Sequence, residues 1–198
     1  IRRSIMSEDL KFTNKQKNVR IEGEEGSPQN RLRYELYTEG FKRIKEGLEE
    51  ERYFEVCCIV DSIINDRLTA LIQTIKNDDG IDYTYQSVGM VIRTLFKIVK
   101  EDKILLSTDF RKLMSNIEQI WLPKRNFVSH SFVGVTPSNI DLNLEDRLQI
   151  VKECGELGSK YCRDLTTECD KMIHIIKNYG IPYKTPFSNK KSNTEWDT

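Results

Sequence analysis

The segment LPKRNFVSH, residues 122–130, gathers side chains that could bind a phosphate and transfer a proton. Arg125 carries a planar guanidinium, which can hold a phosphate through two parallel hydrogen bonds. His130 carries an imidazole, a group that gives or accepts a proton near neutral pH. Asn126 lies four residues before His130, hence on the same face of a helix. On a straight α-helix Arg125 would lie roughly 140° around the axis from His130.

Pro123 is expected to end one helix and to occupy the first turn of another, a position that proline favours. The backbone N–H groups of Lys124, Arg125 and Asn126 would then be unpaired and could bind a phosphate. With His130 as general acid and base, such a cluster suffices for metal-free RNA cleavage through attack of the 2′-hydroxyl. The competing interpretation is structural, with a solvated Lys–Arg pair beside a helix break and a packed histidine.

Asp61 shares a helical stripe with apolar residues, so its carboxylate is expected to face the core. An isolated buried carboxylate is costly and needs a partner. Arg125 as the partner would join Asp61 to the candidate site. Arg67, a neighbouring hydroxyl or a water molecule would instead give it a structural role. His174 is the only other histidine and is interpreted as a surface or helix-packing residue.

Composition narrows the function classes. The 198 residues include 31 Lys plus Arg and 31 Asp plus Glu, so any site for a polyanion must be local. The sequence has no phosphate-loop, zinc, di-iron or hydrolase-elbow motif and no apolar run near the roughly 20 residues that span a bilayer. We therefore expect no cofactor, no metal and no membrane contact. We interpret the five cysteines as reduced core thiols of a cytoplasmic protein. They are Cys57, Cys58, Cys154, Cys162 and Cys169.

The elements that must position these residues are helices. No proline occurs in residues 30–122, and apolar residues recur there at helical spacing. We predict an all-α fold, an antiparallel bundle of about five helices over residues 30–180. A flexible segment (1–29) is expected before it and a tail (181–198) after it, with residues 1–5 foreign to a native chain that starts at Met6. The helices are predicted at about 32–48, 51–76, 85–100, 107–123 and 143–179.

Helical spacing also predicts which residues face the core. In the last helix these positions include Gly155 and Gly158, which would let a neighbouring helix approach closely. The other predicted core positions are Leu32, Leu36, Phe41, Ile44 and Leu48; Phe54, Cys57, Ile59, Val60, Ile63, Ile64, Leu68, Leu71 and Ile75; Val88, Ile92, Leu95, Phe96 and Val99; Phe110, Leu113, Ile117, Ile120 and Trp121; and Leu148, Val151, Cys162, Leu165, Cys169, Met172 and Ile176.

The motif resembles the signature of the HEPN superfamily (higher eukaryotes and prokaryotes nucleotide-binding domain). That signature is an arginine, a polar residue, and a histidine after a gap of four to six residues. Arg125, Asn126 and His130 match it with a gap of four. The resemblance extends over about residues 30–180 and implies a metal-independent endoribonuclease, often a toxin or antiviral effector, that acts on RNA as a two-fold dimer.

The resemblance implies a role for each motif residue. His130 would be the general acid and base, Arg125 the clamp on the phosphate and transition state, and Asn126 the residue that orients them. Asp61 and Lys124 are the supporting candidates.

A single motif histidine per chain also favours a dimer, because RNA transesterification gains from both a base and an acid. A symmetric homodimer would bring two copies of Arg125 and His130 into one cleft, with residues 122–133 at or beside the interface. A regulatory or antitoxin protein is a further partner that the resemblance implies. HEPN toxins paired with nucleotidyltransferase antitoxins carry tyrosine two residues after the histidine. Phe132 stands there instead, which puts that regulation in doubt. Other HEPN members lack catalysis, so the alternative function is a binding or dimerisation module.

Overall fold

The structure, a computed structural model, describes residues 28–78, 80–83 and 86–182. Over these ranges the chain forms five helices and no strand, which confirms the predicted all-α bundle. Most of the predicted N-terminal segment and C-terminal tail, residues 1–27 and 183–198, lies outside the described residues. The helices are α1 (Pro28–Glu49), α2 (Tyr53–Lys76), α3 (Val88–Glu101), α4 (108–131) and α5 (Leu144–Tyr179).

The chain divides into two compact units, residues 1–41 and 42–198, with the division inside α1. In the described part of the first unit, the rings of Tyr37 and Phe41 lie 6.3 Å apart. Leu32 and Leu36, which were predicted to face the core, are more than half exposed. Helical spacing predicts an apolar face but does not determine whether another element covers it. The second unit contains the rest of α1 and all of α2–α5.

Local signals set four of the helix ends where the sequence predicted them. Asn77 ends α2 in the left-handed conformation, with φ 50°, which asparagine tolerates better than most residues. The Ser107 side chain accepts a hydrogen bond from the backbone N–H of Phe110 at the start of α4. Asn143 and Asp146 form a capping box at the start of α5, and Gly180 ends that helix.

The α5 helix packs against both α2 and α4, and its two glycines permit this. A Cβ at Gly155 would lie 3.2 Å from the Tyr53 ring, and one at Gly158 would lie 2.6 Å from Trp121 Nε1. A side chain at Gly158 would therefore overlap the indole, so the close approach predicted for these glycines is confirmed.

Contacts between helices also give their directions. The α4 helix runs antiparallel to α5, as predicted, because residue numbers rise along α4 as they fall along α5. The Trp121 Nε1–H donates to the Cys154 carbonyl at 3.0 Å, and Lys124 pairs with Glu153. By contrast, α2 runs in the same direction as α5. Tyr53 packs on Gly155, and Arg67, further along α2, lies by Asp170, further along α5. Two intervening helices separate α2 from α5 in the chain, so no short connection forces them antiparallel.

The α4 helix passes through Pro123 without breaking, so the predicted helix end at this proline is wrong. Its α-helical parts, Thr108–Asn116 and Leu122–Asn126, alternate with π-helical turns at Ile117–Trp121 and Phe127–Ser131. At the first π turn, the Leu122 N–H donates to the Ile117 carbonyl, five residues back. We attribute the tolerance of Pro123 to this wider turn, which changes the register where the ring would clash and where its N–H is missing.

The first π turn also corrects two predicted core positions. Trp121 is fully buried, whereas Ile120, which the spacing placed beside it in the core, is exposed. A wider turn rotates the residues that follow relative to an α-helix, so only one of the two can face inward. In α5, Leu148 is likewise exposed, and its neighbour Arg147 takes the buried position. Phe54, at the start of α2, is also 43% exposed.

Candidate functional site

Arg125 and Asp61 form a bidentate ion pair between α4 and α2. The Nε–H of Arg125 donates to Asp61 Oδ1, and its Nη2–H donates to Oδ2, both at 2.7 Å. Of the partners that the sequence left open for Asp61, the structure therefore shows Arg125. Arg67 lies elsewhere and donates to Asp170 at 2.6 Å. Two parallel hydrogen bonds fix the plane of the Arg125 guanidinium.

Arg125 keeps donors for a ligand after these contacts. A guanidinium carries five N–H groups; two bind Asp61, and one on Nη1 binds Asn126 Oδ1 at 3.2 Å. No other described residue accepts a hydrogen bond from Arg125, so two N–H groups remain. The side chain is 16% exposed. Asn126 is exposed and accepts one hydrogen bond from the Arg125 guanidinium.

The second π turn changes the relation between Arg125 and His130. In a π-helical turn the hydrogen bonds connect residues five apart, so such residues lie closer to one face than on an α-helix. Because Phe127–Ser131 is π-helical, His130 turns back towards the side of α4 that carries Arg125, which reduces the expected offset. The imidazole is exposed and has no hydrogen-bond partner among the described residues.

His174 cannot complete the site within one chain. It lies on α5 and contacts Asn178, whereas the residue after His130 contacts Arg147 near the other end of α5. At 1.5 Å per residue, Arg147 and His174 are about 40 Å apart along the helix. One chain therefore places one histidine at the motif.

Lys124 joins α4 to α5 through an ion pair. Its Nζ donates to Glu153 Oε2 at 2.6 Å, and this hydrogen bond holds the pKa of the Glu153 carboxyl below its usual range. Lys124 lies inside α4 rather than at a helix N-terminus, as do its neighbours Arg125 and Asn126. The phosphate site predicted from free backbone N–H groups is therefore wrong, and any anion at this motif must be held by side chains.

Arg147 is a site-supporting residue that the sequence reasoning missed. Only 7% exposed, it donates to the carbonyls of Ser131 and Phe132 at 3.1 and 2.8 Å, directly after His130. It also lies 5.7 Å from the centre of the Phe127 ring. The sequence did contain a signal for this role. Arg147 stands four residues before Val151, at an inward position of the helix, where a charged side chain needs buried partners.

Two cysteines, Cys57 of α2 and Cys154 of α5, contact each other between these two helices. Hydrogen bonding with Cys154, together with burial, raises the pKa of the Cys57 thiol. The same contact lowers the pKa of Cys154, with Trp121 and Arg125 adding to the effect. All five cysteines are free, and four of them are buried as predicted, while Cys58 is exposed.

The described residues contain no group of three or more His, Cys, Asp or Glu side chains that could hold a metal ion. Of the helices that the structure describes, none combines the length and apolar character needed to cross a membrane.

Phe132, where the resemblance would place a tyrosine, packs edge-to-face on Phe54 with ring centres 4.8 Å apart. This contact gives the residue a packing role at the end of the motif. Comparison of the chain with protein-family models, with curated proteins and with solved structures finds no match.

Proposed function

We propose that this chain is a metal-independent endoribonuclease of HEPN type, which cleaves RNA by 2′-hydroxyl attack at a site shared by two copies. The single observation that carries the proposal is the arrangement around Arg125. Its guanidinium is fixed by Asp61 and Asn126 but retains two N–H groups. An exposed imidazole, His130, lies one π turn further along the same helix.

The roles follow from the chemistry of each group. One imidazole removes the proton from the 2′-hydroxyl, whose oxygen then attacks the adjacent phosphorus. The bond from phosphorus to the 5′-oxygen breaks, and that oxygen receives a proton from a second acid. Arg125 stabilises the charge that develops on the phosphorane oxygens. The products are a 2′,3′-cyclic phosphate and a 5′-hydroxyl end. His130 supplies the base, and His130 of the partner subunit supplies the acid.

Exposed apolar side chains near the motif support the proposal that a second copy binds there. Five apolar side chains at the motif end of the bundle are exposed: Val133, Val135, Ile140, Leu144 and Leu148. We call them the end patch. They lie on the loop after His130 and the first turns of α5, which Arg147 ties together. An apolar surface next to the motif favours self-association there, since burying it is favourable.

The wild-type reaction tests the proposal directly. Purified protein in EDTA is expected to cleave single-stranded RNA and to leave 2′,3′-cyclic phosphate or its opened product. An oligonucleotide with 2′-deoxy residues should remain intact, because it lacks the nucleophile. Mass spectrometry of the product ends measures both. Equal cleavage of an all-DNA strand, or activity only with added metal, would refute this mechanism.

The homodimer is expected to depend on the end patch. Replacing Val133 and Leu144 together with glutamate places charges on the patch, and we expect sedimentation to show monomer where wild type shows dimer at tens of micromolar. Leu105→Glu is the matched control, since Leu105 is an exposed apolar residue near Pro182, at the far end of α5. A wild-type monomer at that concentration would contradict the shared site.

The alternative function is a non-catalytic dimerisation module of HEPN type. The end patch favours it equally, and the Arg125–Asp61 pair would then serve only to join α4 to α2. In that case the protein would dimerise without cleaving RNA. Replacing Arg125 by an uncharged residue would then lower the stability of the fold and have no other effect. The two functions therefore differ in the RNA assay and agree in the sedimentation assay.

A further inference from the structure

Arg147 has no carboxylate partner among the described residues, although it is buried. Its guanidinium is surrounded by carbonyl oxygens instead. Nη1 donates to Ser131, Phe132 and Gly134 at 3.1, 2.8 and 3.1 Å. Nη2 donates to the Asn139 carbonyl at 3.0 Å, and Nε to that of Leu142 at 3.2 Å. Each acceptor lies in or beside the loop that joins α4 to α5.

Two of these carbonyls belong to the C-terminal end of α4. The last carbonyls of a helix lack partners within the helix, and the dipole places partial negative charge there. The cation of Arg147 satisfies the carbonyls of Ser131 and Phe132 and is stabilised by that charge in return. It thus caps α4 from the neighbouring helix, at the residues that directly follow His130.

Asn139 holds the backbone of the loop in a similar way, by hydrogen bonds from its side chain. Its Oδ1 accepts the backbone N–H of Thr136 at 2.8 Å, and its Nδ2 donates to the Gly134 carbonyl at 3.2 Å. Asn139 is buried and also accepts from Arg147, so the loop is held from its centre. The loop and the end of α4 therefore share one anchor, which is a single side chain of α5.

We propose that Arg147 is the positioning residue for His130. By fixing the end of the second π turn on α5, it sets where the imidazole stands relative to Arg125. It does not touch the reacting atoms, because its donors are already used by the carbonyls. Its effect on cleavage rests on the proposed ribonuclease function, whereas its effect on the conformation at His130 does not.

The chain offers a matched control. Arg67 is as buried as Arg147, but its partner Asp170 lies towards the far end of α5. Arg147→Met and Arg67→Met each remove a buried guanidinium and keep a long apolar side chain. A general loosening of the bundle would affect both variants alike. A positioning effect would appear only in Arg147→Met.

The experiment is NMR of the two histidines, with His174 as the internal reference. In Arg147→Met we expect new chemical shifts for the His130 imidazole and amide exchange at residues 131–134 faster by about tenfold or more. His174 should keep its wild-type signals. Arg67→Met should leave His130 and residues 131–134 unchanged. Should Arg147→Met fail to fold, Arg147→Lys provides the same comparison, because an ammonium has three donors and cannot serve all five carbonyls.

Two outcomes overturn the proposal: wild-type signals for His130 in the folded Arg147 variant, or the same perturbation of His130 in Arg67→Met. Cleavage adds a second readout where the proposed function holds. Arg147→Met is then expected to lower kcat by about a hundredfold with little change in KM, since misplacing a catalytic group slows the chemical step. A protein that cleaves no RNA at all would contradict the proposed function and leave the NMR result to decide on Arg147.

Discussion

His130→Ala is expected to reduce RNA cleavage by about a hundredfold or more, in line with the loss of a general acid and base. The change should leave the bundle folded, because the imidazole is exposed and makes no hydrogen bond to the described residues. Cleavage of a labelled RNA by purified variants measures the effect, and circular dichroism checks the fold. His174→Ala is the control, because His174 lies at the other end of α5. This variant should cleave RNA at the wild-type rate.

Arg125→Lys belongs to the same experiment and should not preserve activity. A lysine keeps the positive charge, but it cannot make the two parallel bonds to Asp61 and also present a planar fork to phosphate. We therefore expect a loss comparable to that of Arg125→Ala. Activity that survives in His130→Ala would exclude the proposed mechanism. Activity that survives in Arg125→Lys would show that a point charge is enough.

Trp121→Ala is expected to lower the free energy of unfolding by about 3–5 kcal/mol, the range for truncating a large core aromatic. Trp121 is fully buried, its Nε1–H donates to the Cys154 carbonyl, and its ring fills the space left by Gly158. Truncation would leave a cavity between α4 and α5 and a buried carbonyl without its donor. Urea denaturation followed by circular dichroism gives the free energy.

Ile120→Ala is the matched control for Trp121, since the two residues are adjacent in the same π turn. Ile120 is exposed, so its truncation should cost about 1 kcal/mol or less. The regular α-helical stripe predicted from the sequence places both residues in the core and predicts large losses for both. Similar losses for the two variants would mean that the first π turn does not form.

The sequence by itself determined the five helices, except for the part of α4 beyond Pro123. Their interiors follow from apolar spacing and from the lack of proline, and their ends follow from residues such as Asn77, Ser107 and Gly180. These signals act within one or two helical turns, so they can be interpreted without knowing what packs where. The sequence also singled out Arg125, Asn126 and His130, because the side-chain chemistry of each is intrinsic. What these residues catalyse remains a prediction.

Only the tertiary structure decided how the residues of the site are held. Asp61 is six residues from Arg67 and sixty-four from Arg125, yet it pairs with Arg125, because α4 rather than α2 itself places a guanidinium over the carboxylate. Pro123 lies inside a helix because a π turn precedes it. Arg147 is buried because the loop after α4 folds its carbonyls around it. In each case the outcome depends on which elements lie side by side, and such long-range contacts leave no periodic signal in the sequence.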